Sequence, residues 1–212
     1  MPVSDRKERE KQKRRGDILK AAKKLFREKG FTSTSMQDIA AEAELAKGTL
    51  YLYFKNKNEL ISEILYDSVL VIADLLDNAK ENGKNGFEKL RSILYAYLDF
   101  HNNHDEGYFF TMLQDHVPHL HIISGDPRLN EHLKLRYLMV RDVLREGIMD
   151  GSIRPDINPD LTAVVLTQLA TASMLQRIFP TIEKLKDIVG YSTAEMTENL
   201  IEIIAAALVN SK

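Results

Sequence analysis

The stretch from Leu45 to Leu60, LAKGTLYLYFKNKNEL, combines hydroxyl, aromatic, apolar and cationic side chains. At about 100° per residue, Leu50 and Phe54 share one helix face and should enter a core, and the other side carries Gly48, Thr49, Tyr51 and Leu52. Such a surface suits DNA, since the major groove offers thymine methyls to apolar side chains and phosphates accept from hydroxyls and cations. The alternative is a small aromatic core with a solvated rim of lysines.

Two short helices are predicted to position this stretch. Thr34 or Ser35 can cap the first, and the second runs from about residue 46 to 54. Their link of two or three residues, with the small Ala40 where they would cross, matches a helix-turn-helix. A preceding helix, from about Lys13 to Lys29, should stop at Gly30.

Charge is distributed unevenly along the 212 residues. Residues 1–61 hold 15 lysines and arginines against 9 aspartates and glutamates, and residues 62–212 hold 14 against 22, which gives a formal net charge of −2. A basic head on an acidic body indicates that the head alone meets a polyanion.

The rest of the chain is also predicted to be helical. Asn56 and Glu59 resemble a capping box that starts a long helix, which should end near a flexible connection at Gly83 and Gly86. Further helices are expected at roughly 87–101, 107–116, 127–149, 159–179 and 193–210. The fold class is therefore all-α, with an N-terminal three-helix domain (1–56) containing the helix-turn-helix and a C-terminal helical bundle (57–212).

Residues Ile18 to Ile61 resemble the N-terminal domain of TetR/AcrR-type transcriptional regulators. The similarity runs without a gap and includes Ala21-Ala22, Leu25-Phe26, Gly30-Phe31, Thr34, Ile39-Ala40, Gly48, Leu50-Tyr51, Tyr53-Phe54 and Lys57 to Leu60. Where the family usually has Gly-Val-Ser, this chain has Glu44-Leu45-Ala46. A left-handed Glu44 would cost about 1 kcal/mol, and the missing hydroxyl cap about as much.

The resemblance implies a set of DNA-contacting residues. Phosphate contacts would come from Thr34 or Ser35, Tyr51, Tyr53 and Lys57, and base contacts from Gln37, Lys47, Gly48, Thr49 and Leu52. The N-terminal arm RKEREKQKRR either adds contacts beside the helix-turn-helix or is a solvated tail.

The resemblance also implies a C-terminal domain for ligand binding and dimerisation. REGIMDGSIRPDINPDLTA is similar to the usual family passage into the last two helices, which form a four-helix homodimer interface in such regulators. A dimer would bind double-stranded operator DNA with two-fold symmetry. The expected function is a ligand-responsive regulator, a repressor released by a small, mostly apolar effector.

Candidate effector contacts combine apolar bulk with a few polar tips. They are Tyr97, His101, Phe110, Met112, His116, Tyr137, Met139 and Met174. The alternative for each of them is an ordinary place in the core, and a DNA-binding protein whose cavity is filled by side chains is a further alternative.

The clustering of all six histidines between His101 and His132 permits another interpretation, a metal-binding helical-bundle protein or enzyme. However, the chain contains no Glu-x-x-His pair and no Gly-rich phosphate loop, so an enzyme is not expected and no cofactor is implied. There is no cysteine, no apolar signal segment and no run long enough to span a bilayer. The expected location is the cytoplasm.

Overall fold

The computed structural model describes residues 3–104, 125–175, 188 and 190–210. Within these ranges the chain forms the helices α1 (Val3–Lys29), α2 (Met36–Glu42), α3 (Lys47–Tyr51), α4 (Lys57–Glu81), α5 (Gly86–Asn103), α6 (Pro127–Asp150), α7 (Pro159–Leu175) and α8 (Thr193–Leu208). The all-α prediction is confirmed. None of these helices is both long and apolar enough to cross a membrane. The helix expected at 107–116 lies outside the described residues.

Contacts divide the chain into two compact units, Met1–Tyr66 and Asp67–Lys212, and the division falls inside α4. In the N-terminal unit α2 packs against α1 and α3. In the C-terminal unit α5 packs against α6, α7 and α8, and α6 also packs against α7.

Helix α1 extends through the basic arm and begins well before the predicted start at Lys13. The arm has no apolar periodicity, but Arg6 donates to Glu10 at 3.0 Å and Gln12 donates to Glu8 at 2.8 Å. Such pairs one turn apart support an exposed helix. The predicted stop is confirmed, because α1 ends at Lys29 and Gly30 has a φ of 79°.

Helix α2 begins with a capping box. The hydroxyl of Ser35 accepts from the backbone N–H of Asp38 at 3.1 Å, and the carboxylate of Asp38 accepts from the backbone N–H of Ser35 at 2.8 Å. Of the two predicted caps, Ser35 is therefore the one used. Hydrogen bonding from Ser35 lowers the pKa of the Asp38 carboxyl.

The core of the N-terminal unit joins all four of its helices. Phe26 and Phe31 pack with ring centroids 5.2 Å apart. The fully buried side chains are Ile18, Ala22, Phe26, Ile39, Leu50, Phe54, Leu60, Ile61, Ile64 and Leu65. Helix α4 begins as predicted, with the side chain of Asn56 accepting from the backbone N–H of Glu59 at 2.9 Å. The carboxylate of Glu59 accepts from the backbone N–H of Lys55 at 2.7 Å, not from that of Asn56 as in a standard capping box.

The C-terminal unit contains a tight crossing rather than a flexible connection at Gly86. Gly86 is the first residue of α5, and a Cβ added there would lie 2.1 Å from the backbone nitrogen of Gly147. The carboxylate of Asp150 accepts from the N–H of Gly86 at 2.8 Å, and the hydroxyl of Ser152 accepts from the N–H of Phe87 at 3.0 Å. These bonds satisfy two backbone donors at the start of α5 that have no partner within the helix.

Residues after α6 join the C-terminal end of α8. Gly151 ends α6 with a φ of 79°, and Ile153 is fully buried. The N–H of Arg154 donates to the carbonyl of Leu208 at 3.0 Å, and the N–H of Asn210 donates to the carbonyl of Ser152 at 3.1 Å. The sequence passage REGIMDGSIRPDINPDLTA, which leads out of α6, therefore contacts the start of α5 and the C-terminal end of α8.

Candidate nucleic-acid interface

The turn between α2 and α3 forms without a glycine. Glu44 has a φ of 54°, in the left-handed region that favours glycine. The N–H of Leu45 then donates to the carbonyl of Ala40 at 2.8 Å. Ala46 occupies the N-cap of α3 and provides no side-chain hydrogen bond. A residue with a Cβ pays about 1 kcal/mol for this conformation, so the predicted strain at Glu44 is present.

Helix α3 has one buried and one exposed face. Leu50 and Phe54 are completely buried, as their spacing predicted, whereas Tyr51 is 43% exposed and Leu52 is 83% exposed. The helix ends at Tyr51, earlier than the predicted Phe54, and Leu52 is its C-cap. The N–H groups of Tyr53 and Phe54 still donate to the carbonyl of Leu50, at 3.0 and 3.1 Å. Hydrogen bonds of the last turn therefore hold the exposed leucine in place.

Most of the other predicted DNA contacts are accessible to a ligand. Ser35, Gln37, Lys47 and Gly48 are exposed, and Thr49 and Tyr53 are half-buried. A Cβ on Gly48 would meet no atom within 4 Å, so there is room for close approach of another molecule. Lys47 makes no ion pair within the part of the chain that the structure describes.

The side chain of Thr34, predicted as a phosphate ligand, is buried inside the protein in this structure. The residue is 1% exposed, and its hydroxyl donates to the carbonyl of Gly30 at 2.8 Å, with a longer contact of 3.3 Å to the carbonyl of Leu25. A hydroxyl buried in this way closes the C-terminal end of α1. Between the two alternatives predicted from the sequence, only Ser35 is exposed.

Lys57 is engaged inside the protein. Its ammonium donates to the backbone carbonyls of Phe31, Thr32 and Thr34, the last at 2.7 Å. The same nitrogen lies 4.4 Å from the centroid of the Phe31 ring. Burial lowers the pKa of Lys57. The three donors of the ammonium match three carbonyls, so in this conformation none is left for the predicted phosphate contact.

Two further cations connect the helices of this unit. Arg15 of α1 lies over the ring of Phe54, with its guanidinium carbon 4.4 Å from the centroid, and donates to Glu63 of α4 at 2.8 Å. Lys24 of α1 lies 2.6 Å from the carboxylate of Glu42 in α2. Part of the positive charge read from the sequence is therefore used to hold helices together.

Comparisons with known proteins agree with this geometry. Residues 18–64 match the family described as "Bacterial regulatory proteins, tetR family". The uncharacterized HTH-type transcriptional regulator YhgD of Bacillus subtilis is 30% identical over 155 residues, which cover 73% of this chain and 79% of that protein. The chain belongs to the TetR family.

Two other proteins extend the comparison of this TetR-family chain. The HTH-type transcriptional repressor KstR2 of Mycolicibacterium smegmatis is 28% identical over 149 residues, 70% of this chain and 71% of that protein. The structure of FadR from Bacillus subtilis in complex with stearoyl-CoA superimposes with a TM-score of 0.69 at 19% identity, covering 90% of this chain and 97% of that one. The protein is a DNA-binding transcriptional regulator and not an enzyme.

The predicted effector residues of this regulator do not all line one cavity. Tyr97 is buried and lines an apolar cavity together with Leu94, Leu98, Leu166, Leu169, Ile201 and Ile204. Met139 lines a separate cleft, and the hydroxyl of Tyr137 donates to Asp160 at 3.2 Å. Phe110, Met112 and His116, together with the side chains of His101 and Met174, lie outside the described residues.

Arg136 was missed in the sequence, although it lies at the cleft beside Met139. It occupies a buried position on α6 in register with Leu129, Val140 and Val143. A charged residue at the period of an apolar face was the signal that could have found it. Burial raises the pKa of the Tyr97 hydroxyl, and the nearby guanidinium of Arg136 opposes this rise.

The described part of the histidine cluster includes His104, which contacts neighbours on its own helix. His104 stacks on Phe100 with ring centroids 5.9 Å apart, and its Nε2 lies 3.4 Å from a carboxylate oxygen of Asp99. Within the ranges that the structure describes, no group of three or more histidine, aspartate or glutamate side chains is placed to hold a metal ion. His116, His119 and His121 lie outside the described ranges.

Proposed function

We propose that this chain is a homodimeric repressor that binds an operator of two-fold symmetry and is released by a small effector. The observation that carries the proposal is the outer face of α3, where Leu52 is 83% exposed beside the open backbone at Gly48. An exposed leucine next to a fully buried Leu50 has a physical use if it contacts the methyl groups of the major groove. The relative from Mycolicibacterium smegmatis is named a repressor.

The proposed DNA contacts follow the accessibility of each side chain. Base reading is assigned to Gln37, Lys47, Gly48, Thr49 and Leu52, and phosphate contacts to Ser35, Tyr51 and Tyr53. Thr34 and Lys57 support this surface from within, because the Thr34 carbonyl accepts from Lys57 immediately before the N-cap of α2. Residues 1–56 are proposed as the DNA-binding domain and residues 57–212 as the ligand-binding and dimerisation domain.

Helices α7 and α8 are proposed as the dimer interface. Leu161 on α7 is 63% exposed and Ile203 on α8 is 61% exposed, and Val164 and Val165 are also accessible. Apolar side chains that remain exposed on two helices of one unit favour a second copy as the partner. A two-fold dimer would place two copies of α3 on a symmetric operator.

The effector is proposed to bind in the C-terminal unit. This unit contains the cleft at Met139, with a volume of about 560 Å³, whereas the apolar cavity at Tyr97, about 30 Å³ in volume, has room for no more than a water molecule. The FadR structure with stearoyl-CoA shows that a similarly folded protein binds an amphiphilic molecule. Binding must favour a conformation with lower operator affinity, since a ligand shifts an equilibrium only through its different affinity for the two states.

Fluorescence anisotropy tests the regulator function. The purified protein would be titrated against labelled DNA from upstream of its own gene, an operator recovered by selection from random sequence, and a scrambled duplex, over a series of salt concentrations. We expect preference for the operator and a log–log salt slope of about −0.9 per phosphate contacted. Absence of binding to every DNA at low salt would contradict the proposal.

A further inference from the structure

We propose that Arg136 binds an oxyanion of the effector, so that the effector is an amphiphile with a carboxylate or phosphate head. The inference rests on the effector-responsive function proposed above and adds the chemical class of the ligand. It depends on three observations in the C-terminal unit: a buried guanidinium whose Nε has no partner among the described residues, a cleft that Arg136 lines, and neighbouring acidic side chains that are paired or exposed.

The guanidinium of Arg136 is buried but incompletely satisfied. Arg136 is 7% exposed, and its Nε is a buried side-chain nitrogen with no hydrogen-bond partner among the described parts of the chain. Arginine keeps its charge under all ordinary conditions. An unpaired donor on a buried cation is costly, so this position favours any ligand that brings an acceptor to it.

A cleft of about 560 Å³ is available to such a ligand. Three helices form the cleft: the C-terminal half of α4, the first turn of α5, and α6. Its walls include both charged and apolar side chains. The apolar part comes from Ala73, Leu135, Met139 and Val143. The volume is within the usual range for small-molecule sites, which combine an apolar lining with a few placed polar groups.

The acidic side chains of the cleft do not neutralise Arg136. The carboxylate of Glu146 lies 2.6 Å from the ammonium of Lys89, and that of Asp142 accepts from Arg141 at 2.7 Å. Asp77 is exposed, and neither it nor any other described group accepts from the Nε of Arg136. Among the residues that the structure describes, none supplies an acceptor to this Nε, and a ligand oxyanion can provide one.

Arg136 also lies close to Tyr97. The guanidinium opposes the rise in the pKa of the Tyr97 hydroxyl that burial causes, and Tyr97 belongs to the buried core and lines the apolar cavity. A guanidinium presents its N–H groups as a planar fork, which matches the two oxygens of a carboxylate or phosphate. The head of the ligand would bind Arg136, and its apolar body would contact Met139 and Val143.

Isothermal titration calorimetry with matched amphiphiles tests the proposal. The probes are octanoate, dodecanoate and dodecyl phosphate, each compared below its micelle concentration with the primary alcohol of the same chain length. We expect at least one oxyanion to bind about tenfold or more tightly than its alcohol, as a charged hydrogen bond implies. The better of dodecanoate and dodecyl phosphate identifies the head group.

Arg136→Gln should remove this preference by making the affinities for oxyanion and alcohol equal. Arg128→Gln is the matched control, because Arg128 is exposed and already paired with Asp126, and it should retain the full preference. If Arg136→Gln does not fold, Arg136→Lys replaces it and should show a reduced preference, because an ammonium lacks the planar fork. Tyr97→Phe should keep most of the preference, since the cation remains.

Three results would overturn the proposal: equal affinities for oxyanions and alcohols in the unmodified protein, no binding of any oxyanion, or an unchanged preference in Arg136→Gln. A lower melting temperature with an unchanged preference would show that Arg136 serves only to hold Tyr97. Operator anisotropy without ligand separates the two proposals, because failure of the unmodified protein to bind operator refutes the regulator function, whatever the calorimetry shows.

Discussion

The ammonium of Lys57 donates to the backbone carbonyl of Thr34 at 2.7 Å, which joins the first residue of α4 to the residue just before the N-cap of α2. The hydroxyl of the same threonine closes the end of α1 by donating to Gly30 at 2.8 Å. Two residues that the family resemblance places at the phosphates thus fix the loop that carries Ser35. Their effect on DNA binding would be exerted through the geometry of this loop.

Replacing Lys57 by Met should destabilise the N-terminal unit. The substitution keeps most of the apolar stem but leaves the carbonyls of Phe31, Thr32 and Thr34 without their donor, and hydrogen bonds to a charged group contribute about 1.5–3 kcal/mol. Urea unfolding followed by circular dichroism should show a lower midpoint. Lys55→Met is the control, because Lys55 is exposed and should change stability by about 0.5 kcal/mol or less.

Salt dependence distinguishes this internal role of Lys57 from a phosphate contact. We expect the log–log slope of operator binding for Lys57→Met to equal that of the unmodified protein. A slope reduced in magnitude by about 0.9, with unchanged stability, would show that Lys57 leaves its carbonyls and neutralises a phosphate in the complex.

Replacing Glu44 by Gly should relieve about 1 kcal/mol of backbone strain. The greater conformational entropy of glycine in the unfolded chain offsets part of this gain, so the expected net change is a stabilisation smaller than about 1 kcal/mol. The reason is the φ of 54° at Glu44. Ala41→Gly is the control, because Ala41 is exposed within α2 and should lose about 1 kcal/mol of helix stability. Differential scanning calorimetry compares the two; equal losses in both variants would mean that Glu44 is not strained.

Sequence periodicity predicted the buried Leu50 and Phe54 and the exposed Leu52, because side-chain direction in a helix follows from spacing alone. Gly30 and Ser35 were also identified, since helix ends have local signals. The hydrogen bond from Lys57 to the carbonyl of Thr34 joins residues 23 positions apart and depends on the path of the loop between α1 and α2. The cleft at Arg136 is lined by side chains from three helices, so no local pattern reveals it.

Leu52→Ala should lower affinity for the operator more than affinity for scrambled DNA. A base contact is worth about 1–3 kcal/mol of discrimination, or about tenfold or more in relative affinity. Met149→Ala is the matched control, because Met149 is 82% exposed in the C-terminal unit and should leave both affinities unchanged. Anisotropy titrations at one fixed salt concentration provide the comparison.

Tyr51→Phe should lower the overall affinity for DNA, whereas Leu52→Ala should lower the preference for the operator. Removal of a hydroxyl that contacts phosphate weakens binding to operator and scrambled DNA by a similar factor, because phosphate contacts carry no direct sequence information. The salt slope should not change, since tyrosine is neutral. If Leu52→Ala binds both DNAs as well as the unmodified protein does, the outer face of α3 is not the reading surface.

Gly86→Ala should destabilise the C-terminal unit, because its Cβ would lie 2.1 Å from the backbone nitrogen of Gly147 and 2.3 Å from its Cα. Backbone atoms cannot rotate away as a side chain can, so α5 and α6 must separate, at a cost of about 1–3 kcal/mol. Gly16→Ala is the control: it lies in α1 with no atom within 4 Å of the added carbon, and better helix propensity should stabilise it by up to about 1 kcal/mol. Thermal unfolding of the two variants should therefore shift in opposite directions, and an unchanged melting temperature for Gly86→Ala would mean that the crossing is looser than its geometry indicates.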